Sequence, residues 1–148
     1  MKLTQFPKLG WVLLALSITG CSSVNEKVTG WLSSNVDAIA VLDGKVLRGK
    51  ATFPNEREAT LQLQSSDTPS LTCLGALRYT ATSSGVVNFT CNDGSSTMVP
   101  FQSRSVLSGV GRGLAGKAEF ALTYGLSIER AASFLVLPIA QLTEPTVK

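Results

Sequence analysis

The residues most suggestive of chemistry form one glycine-rich run, Gly111-Arg112-Gly113-Leu114-Ala115-Gly116-Lys117. It satisfies both G-x-G-x-x-G and the G-x-x-x-x-G-K part of a phosphate-binding loop. In such a loop backbone amides cradle phosphates, the lysine reaches the outer phosphates, and a following Ser or Thr binds Mg²⁺. Here Ala118 holds that last position, and Glu119-Phe120-Ala121-Leu122-Thr123-Tyr124 alternates like a strand instead of opening a helix. The run therefore predicts a glycine-rich loop or bulged strand that permits sharp bending or close approach, with no nucleotide and no other cofactor. The chain has no histidine, which removes the commonest general base, the Ser-His-Asp and Cys-His arrangements and the most frequent zinc ligand. Asp93 and Glu119 are the carboxylates a histidine-free hydrolase would recruit, but nothing in their spacing brings them together. Asp37, Asp43, Asp67 and Asp93 are scattered singly, outside any calcium-loop pattern. The expectation is a non-enzyme with no catalytic, metal-binding or cofactor-binding residue.

Other residues point to an address. Met1 to Lys8 carries Lys2 and Lys8 and no acid, and an apolar run follows from Leu9 to Ile18, the charged and apolar regions of an export signal. The run lasts roughly a dozen residues, too short for a spanning helix, which needs about 20. Its end, Ile18-Thr19-Gly20-Cys21, resembles the lipobox of bacterial lipoproteins: a branched apolar residue, two small residues and an obligatory cysteine. The resemblance covers residues 1–21. It implies cleavage between Gly20 and Cys21, a diacylglyceryl group on the Cys21 thiol, and acylation of the new amino group. Two or three acyl chains hold a protein on a membrane where one does so only marginally. Ser22 and Ser23, in place of the Asp that favours inner-membrane retention, fit transport to the outer membrane. An ordinary secretory signal ending near a cysteine is the competing reading.

With Cys21 committed to lipid, two of the three cysteines remain, Cys73 and Cys91, and a pair in an oxidising compartment is expected to form a disulfide. Removing Lys2 and Lys8 from the 13 basic residues leaves 11 against ten acids, so the exported part is near neutral. It carries no electrostatic stripe for nucleic acid. Lys45, Arg48 and Lys50 read as a solvated strand face.

The elements that must position these residues are short strands. Ser22 to Gly30 is a polar tether reaching at most about 30 Å. Val36 to Leu42, the hairpin signal Asp43-Gly44 and Lys45 to Phe53 follow, with Pro54-Asn55 breaking the run. Ala59 to Gln64 alternates with Leu61 and Leu63 on one face, and Ser65 to Ser70 is a polar loop. Leu71 to Thr82 and Val86 to Cys91 flank Ser83-Ser84-Gly85 as a hairpin. A simple register about that turn does not set Cys73 against Cys91, so a bulge or wider loop is required. Thr97 to Ser105 and Ala118 to Tyr124 are further strands. Ser127 caps a helix over Ile128 to Leu135, stopped by Pro138. Phe53, Tyr79, Phe89, Phe101, Phe120, Tyr124 and Phe134 are expected in the core.

The sequence thus predicts a signal over residues 1–20, a lipidated tether over 21–30 and one mainly β domain over 31–148. That domain is expected to be a small antiparallel sandwich or barrel with one short C-terminal helix. The functional expectation is a lipoprotein of the bacterial cell envelope, anchored in the outer membrane through its N-terminal lipid. It would act by contact with an envelope protein partner in a structural or assembly role. The alternatives are a small ligand-binding or inhibitor module of the lysozyme-inhibitor kind, and a carboxylate-dependent envelope hydrolase.

Overall fold

The computed structural model describes residues 33–143; the signal, Cys21, the tether, Trp31 and Leu32 lie outside the described residues. Eight strands follow one another: β1 (Ser34–Leu42), β2 (Lys45–Asn55), β3 (Glu58–Ser65), β4 (Thr72–Tyr79), β5 (Ser84–Cys91), β6 (Ser96–Ser105), β7 (Ser108–Ala115) and β8 (Ala118–Tyr124). Each pairs antiparallel with the next, and β8 returns to β1 with Ile39 opposite Thr123. The result is a closed up-and-down barrel, the second of the two architectures expected from sequence. Closure leaves no strand edge among these eight to recruit another chain.

The local chemistry explains the hairpins. Asp43 and Gly44 both take positive φ, 49° and 75°, as a two-residue turn matched to strand twist requires. Gly116, at φ 64°, opens the equivalent turn between β7 and β8. Pro54 does not end its strand, because β2 runs on to Asn55. The register shifts between Thr52 and Asn55, and such an irregularity tolerates a residue without an N–H. The turn falls instead on Glu56-Arg57, and β3 begins at Glu58, one residue before the expected Ala59.

Alternation decides what faces inward. On β3 Ala59, Leu61 and Leu63 are buried while Glu58, Thr60, Gln62 and Gln64 are exposed. Apolar inside and polar outside is the reverse of the pattern a lipid-embedded barrel presents. The interior is filled by Leu47, Phe53, Leu61, Leu77, Val87, Phe89, Val99, Phe101, Phe120, Leu122 and Tyr124. Their rings meet in a ladder: Phe53 to Tyr124 at 5.7 Å, Tyr79 to Phe101 at 4.9 Å and Phe89 to Phe120 at 5.1 Å. Room for them comes from β7, the strand hidden in the glycine-rich run. A Cβ on Gly113 would stand 2.8 Å from Val99 Cγ1, and one on Gly109 would run into the Tyr124 hydroxyl. Close approach of neighbouring side chains is what Gly109 and Gly113 permit.

After Tyr124 the chain leaves the barrel and lies against its outer wall. The helix α1 (Ile128–Leu135) buries Ala131, Ala132 and Leu135, three positions, i, i+1 and i+4, that share one helical face. Ala131 and Ala132 pack on Val46 of β2, with Ile39, Leu126 and Leu137 half-buried around them. α1 ends ahead of Pro138, at a left-handed cap on Val136, and a second short helix, α2 (Ile139–Thr143), follows the proline and adds Leu142 to the same cluster. Pro138 lacks an N–H to continue the first helix but accepts from Gln141 N–H at 3.0 Å as the second begins.

Candidate functional site

Cys73 and Cys91 are direct cross-strand neighbours on β4 and β5 and form a disulfide with Cα atoms 3.9 Å apart. Cys91 N–H donates to Ser95, on the far side, while Asn92 N–H donates to Thr72. The cysteines therefore occupy a position without mutual backbone hydrogen bonds, where opposing side chains come closest. Their register follows from a wider loop than Ser83-Ser84-Gly85. Tyr79 pairs with Gly85, and both Thr80 and Ala81 N–H donate to Ser84 O at 3.0 Å. Hence β4 ends at Tyr79 rather than Thr82, and β5 starts at Ser84 rather than Val86.

The other singled-out residues have separate settings. Gly111 and Gly113 lie within β7, Lys117 sits in the turn, and Ala118 starts β8, so no helix N-terminus meets the glycine motif. Asp93 Oδ1 accepts from Ser95 N–H at 2.9 Å and from Ser95 Oγ at 2.6 Å. The Ser95 side chain first, then its backbone N–H, holds the Asp93 carboxyl below the usual range. That shift is opposite to what a general acid needs. Glu119 lies on the outer wall, opposite Leu114 of β7. On β2, exposed Lys50 pairs with Asp37 at 3.2 Å, whereas Arg48 is half-buried.

Among the described residues, concave surface in two regions bears on function. The first lies outside the barrel, where the C-terminal end of α1 meets β7 and β8. Arg112, outward on β7, donates from Nη2 to the Phe134 carbonyl at 2.6 Å and lies 4.9 Å over the Phe134 ring, pinning the helix to the wall. A groove of about 420 Å³ runs beside it between Leu114 and Val136, with Val41, Phe120, Ala121 and Leu135 also lining it. On the other side of Arg112 a shallower hollow is lined by Glu129, Arg130, Ser133, Phe134 and Val136. The apolar side chains here are uncovered: Leu114 is 61% exposed and Val136 79%. Met98, 65% exposed, lies on the neighbouring strand β6, where Thr97 Oγ1 donates to Leu114 O at 2.8 Å. Val136 also adopts φ 57°, ψ 45°, a left-handed conformation that a β-branched side chain disfavours and that Gly or Asn ordinarily supplies at a helix end.

Sequence reasoning missed this groove. The signal was there in two places. Arg112 and Leu114 alternate with inward glycines, and Val136 stands where a helix stop normally carries glycine.

The second concavity is the barrel mouth beside the β2–β3, β4–β5 and β6–β7 turns, about 290 Å³ lined by Glu56, Arg57, Tyr79, Thr82, Ser103, Ser105 and Val106. Behind it the hydroxyls of Tyr79 and Tyr124 lie 3.3 Å apart. Burial, then the hydrogen bond to Tyr79, pushes the Tyr124 phenol well above its ordinary value.

No family model and no curated protein matches the chain. Among solved structures it is similar to the redesigned β-barrel mFAP1 bound to DFHBI, with TM-score 0.52 at 13% identity over 66% of this chain and 97% of that one. A de novo designed fluorescence-activating β-barrel gives TM-score 0.48 at 18% identity over 68% and 97%. The first likeness, at so low an identity, concerns the fold alone: a closed, strand-to-next-strand barrel.

Proposed function

We propose that this protein is a lipid-anchored lipoprotein of the bacterial cell envelope whose barrel acts through non-covalent contact with an envelope protein. The address rests on Ile18-Thr19-Gly20-Cys21 and the export signal before it. The mode of action rests on one observation. The barrel interior is occupied by its own aromatic and aliphatic side chains, while two well-exposed apolar side chains, Leu114 and Val136, line one groove on the outer wall. Contiguous exposed apolar surface marks a contact site in a water-bathed domain, and a strained residue in its lining suits the same role. Arg112 holds α1 in the position that shapes the groove.

The anchor is tested with Cys21→Ser. Acyl labelling and membrane association should both disappear, and retention of both would overturn it. The contact surface is tested with Leu114→Ser combined with Val136→Ser in intact cells. A defined cross-linked partner recovered with the parent protein should be lost, with unfolding temperature maintained. Unchanged recovery would overturn the assignment of this face.

A further inference from the structure

Two hydroxyls whose only partners among the described residues are each other share one hydrogen bond and leave one hydrogen over. Tyr124 is fully buried, Tyr79 is 8% exposed, and their oxygens lie 3.3 Å apart. Were Tyr79 the donor, the Tyr124 hydrogen would be left without an acceptor inside the barrel, at the full desolvation penalty of an unpaired buried donor. With Tyr124 donating to Tyr79, the spare hydrogen belongs to Tyr79, which lines the mouth cavity. That direction leaves the Tyr79 hydrogen as the spare one, on a residue that lines the mouth.

The rest of the lining has mixed donor and acceptor character. Ser105 and Ser108 share a single hydrogen bond at 2.6 Å, Ser103 Oγ donates to Ser83 O at 3.3 Å, and Thr82 is a further hydroxyl-bearing residue of the lining. At the rim Glu56 and Arg57 oppose each other in charge, which disfavours an ion of either sign. The cavity, about 290 Å³, lies at the lower bound of small-molecule sites, roughly 300–1,000 Å³.

We propose that the mouth binds a small, uncharged polyhydroxyl compound, one sugar ring in size, which accepts a hydrogen bond from Tyr79 and exchanges others with Thr82, Ser103 and Ser105. The proposal rests on the mouth alone and is independent of the outer wall, so either can fail without the other.

The test is an NMR titration of the purified, ¹⁵N-labelled full-length chain with glucose, with N-acetylglucosamine and, separately, with sodium acetate. Saturable shifts are expected at the amides of Thr82, Ser103 and Val106 with at least one sugar and not with acetate. Tyr79→Phe should weaken sugar binding by about ten-fold, the value of one lost hydrogen bond to a ligand. Tyr124→Phe, which leaves the Tyr79 hydroxyl in place, should change it by no more than about two-fold. Ser103→Ala gives the same direction of loss as Tyr79→Phe and replaces it if that variant fails to fold. Absence of saturation up to ~100 mM of either sugar means that the mouth holds only water and overturns the proposal. Equal affinity in Tyr79→Phe and the parent, or shifts with acetate alone, overturns it as well.

Discussion

If the interior is filled because β7 yields its space, adding one methyl at Gly113 must cost stability for a single identifiable reason. An alanine Cβ there would stand 2.8 Å from Val99 Cγ1, whereas the next neighbours, Val99 Cβ and Pro100 Cδ, lie at 3.6 and 3.7 Å. Overpacking of this kind costs about 1–3 kcal/mol. Against it stands about 0.5–1 kcal/mol gained from the reduced freedom of the unfolded chain when Gly becomes Ala. Gly113→Ala alone should therefore destabilise by roughly 0.5–2 kcal/mol. Val99→Ala alone, at a fully buried position, removes two methyl groups and should cost roughly 2 kcal/mol. In the double variant the offending Cγ1 is gone, so the Gly113 change becomes neutral or slightly favourable. The cycle then closes with a coupling of about 1–2 kcal/mol. Urea unfolding of the four proteins measures it, and the matching thermal shifts should be roughly 4 °C per kcal/mol for a domain of this size. Additivity within about 0.5 kcal/mol would refute the idea that β7 is glycine-rich to admit its neighbours' side chains.

Other perturbations read other parts of the structure. Replacing both Cys73 and Cys91 by Ser opens a covalent loop spanning 18 positions and should lower stability by about 3 kcal/mol, checked by urea titration. Val136→Gly relieves a left-handed backbone at a site 79% exposed; stability should rise by about 1 kcal/mol while partner recovery falls. Tyr124 has a raised phenol pKa in the fold because burial, then its bond to Tyr79, disfavours the phenolate. Its contribution is fully present below the ordinary tyrosine value of about 10 and is lost progressively above it, as the unfolded chain ionises and the folded one does not. The fall in stability above that pH should be shallower in Tyr124→Phe, measured as denaturation midpoint against pH.

Much of the β pattern was legible because it is local. The alternation of Leu61 and Leu63 with Thr60, Gln62 and Gln64, and the Asp43-Gly44 turn, each depend on neighbours within a few residues. The choice between sandwich and barrel was not, since it turns on one pairing, Ile39 with Thr123, between strands at opposite ends of the fold. For β7 the choice between loop and bulged strand stayed open because glycine provides no side chain to alternate, and its meaning lies in partners such as Val99 and Tyr124 on adjacent strands. The outer groove was hidden for a similar reason. Arg112 reaches the Phe134 carbonyl across 22 positions of sequence, and the groove exists only once α1 lies on β7 and β8. The unequal arms of the β4–β5 hairpin likewise became intelligible only with the hydrogen bonds of Thr80 and Ala81 to Ser84 in view.

The proposed working surface lies on one side of the barrel. Its most direct test is a set of photo-reactive side chains introduced singly around the wall in cells, at Met98, Leu114 and Val136 in or near the groove and at Lys50 and Arg78, ion-paired positions elsewhere on the wall. One defined protein adduct should form from the first three positions and not from the last two. Adducts of equal yield from both sets, or none from Leu114 and Val136, would contradict it.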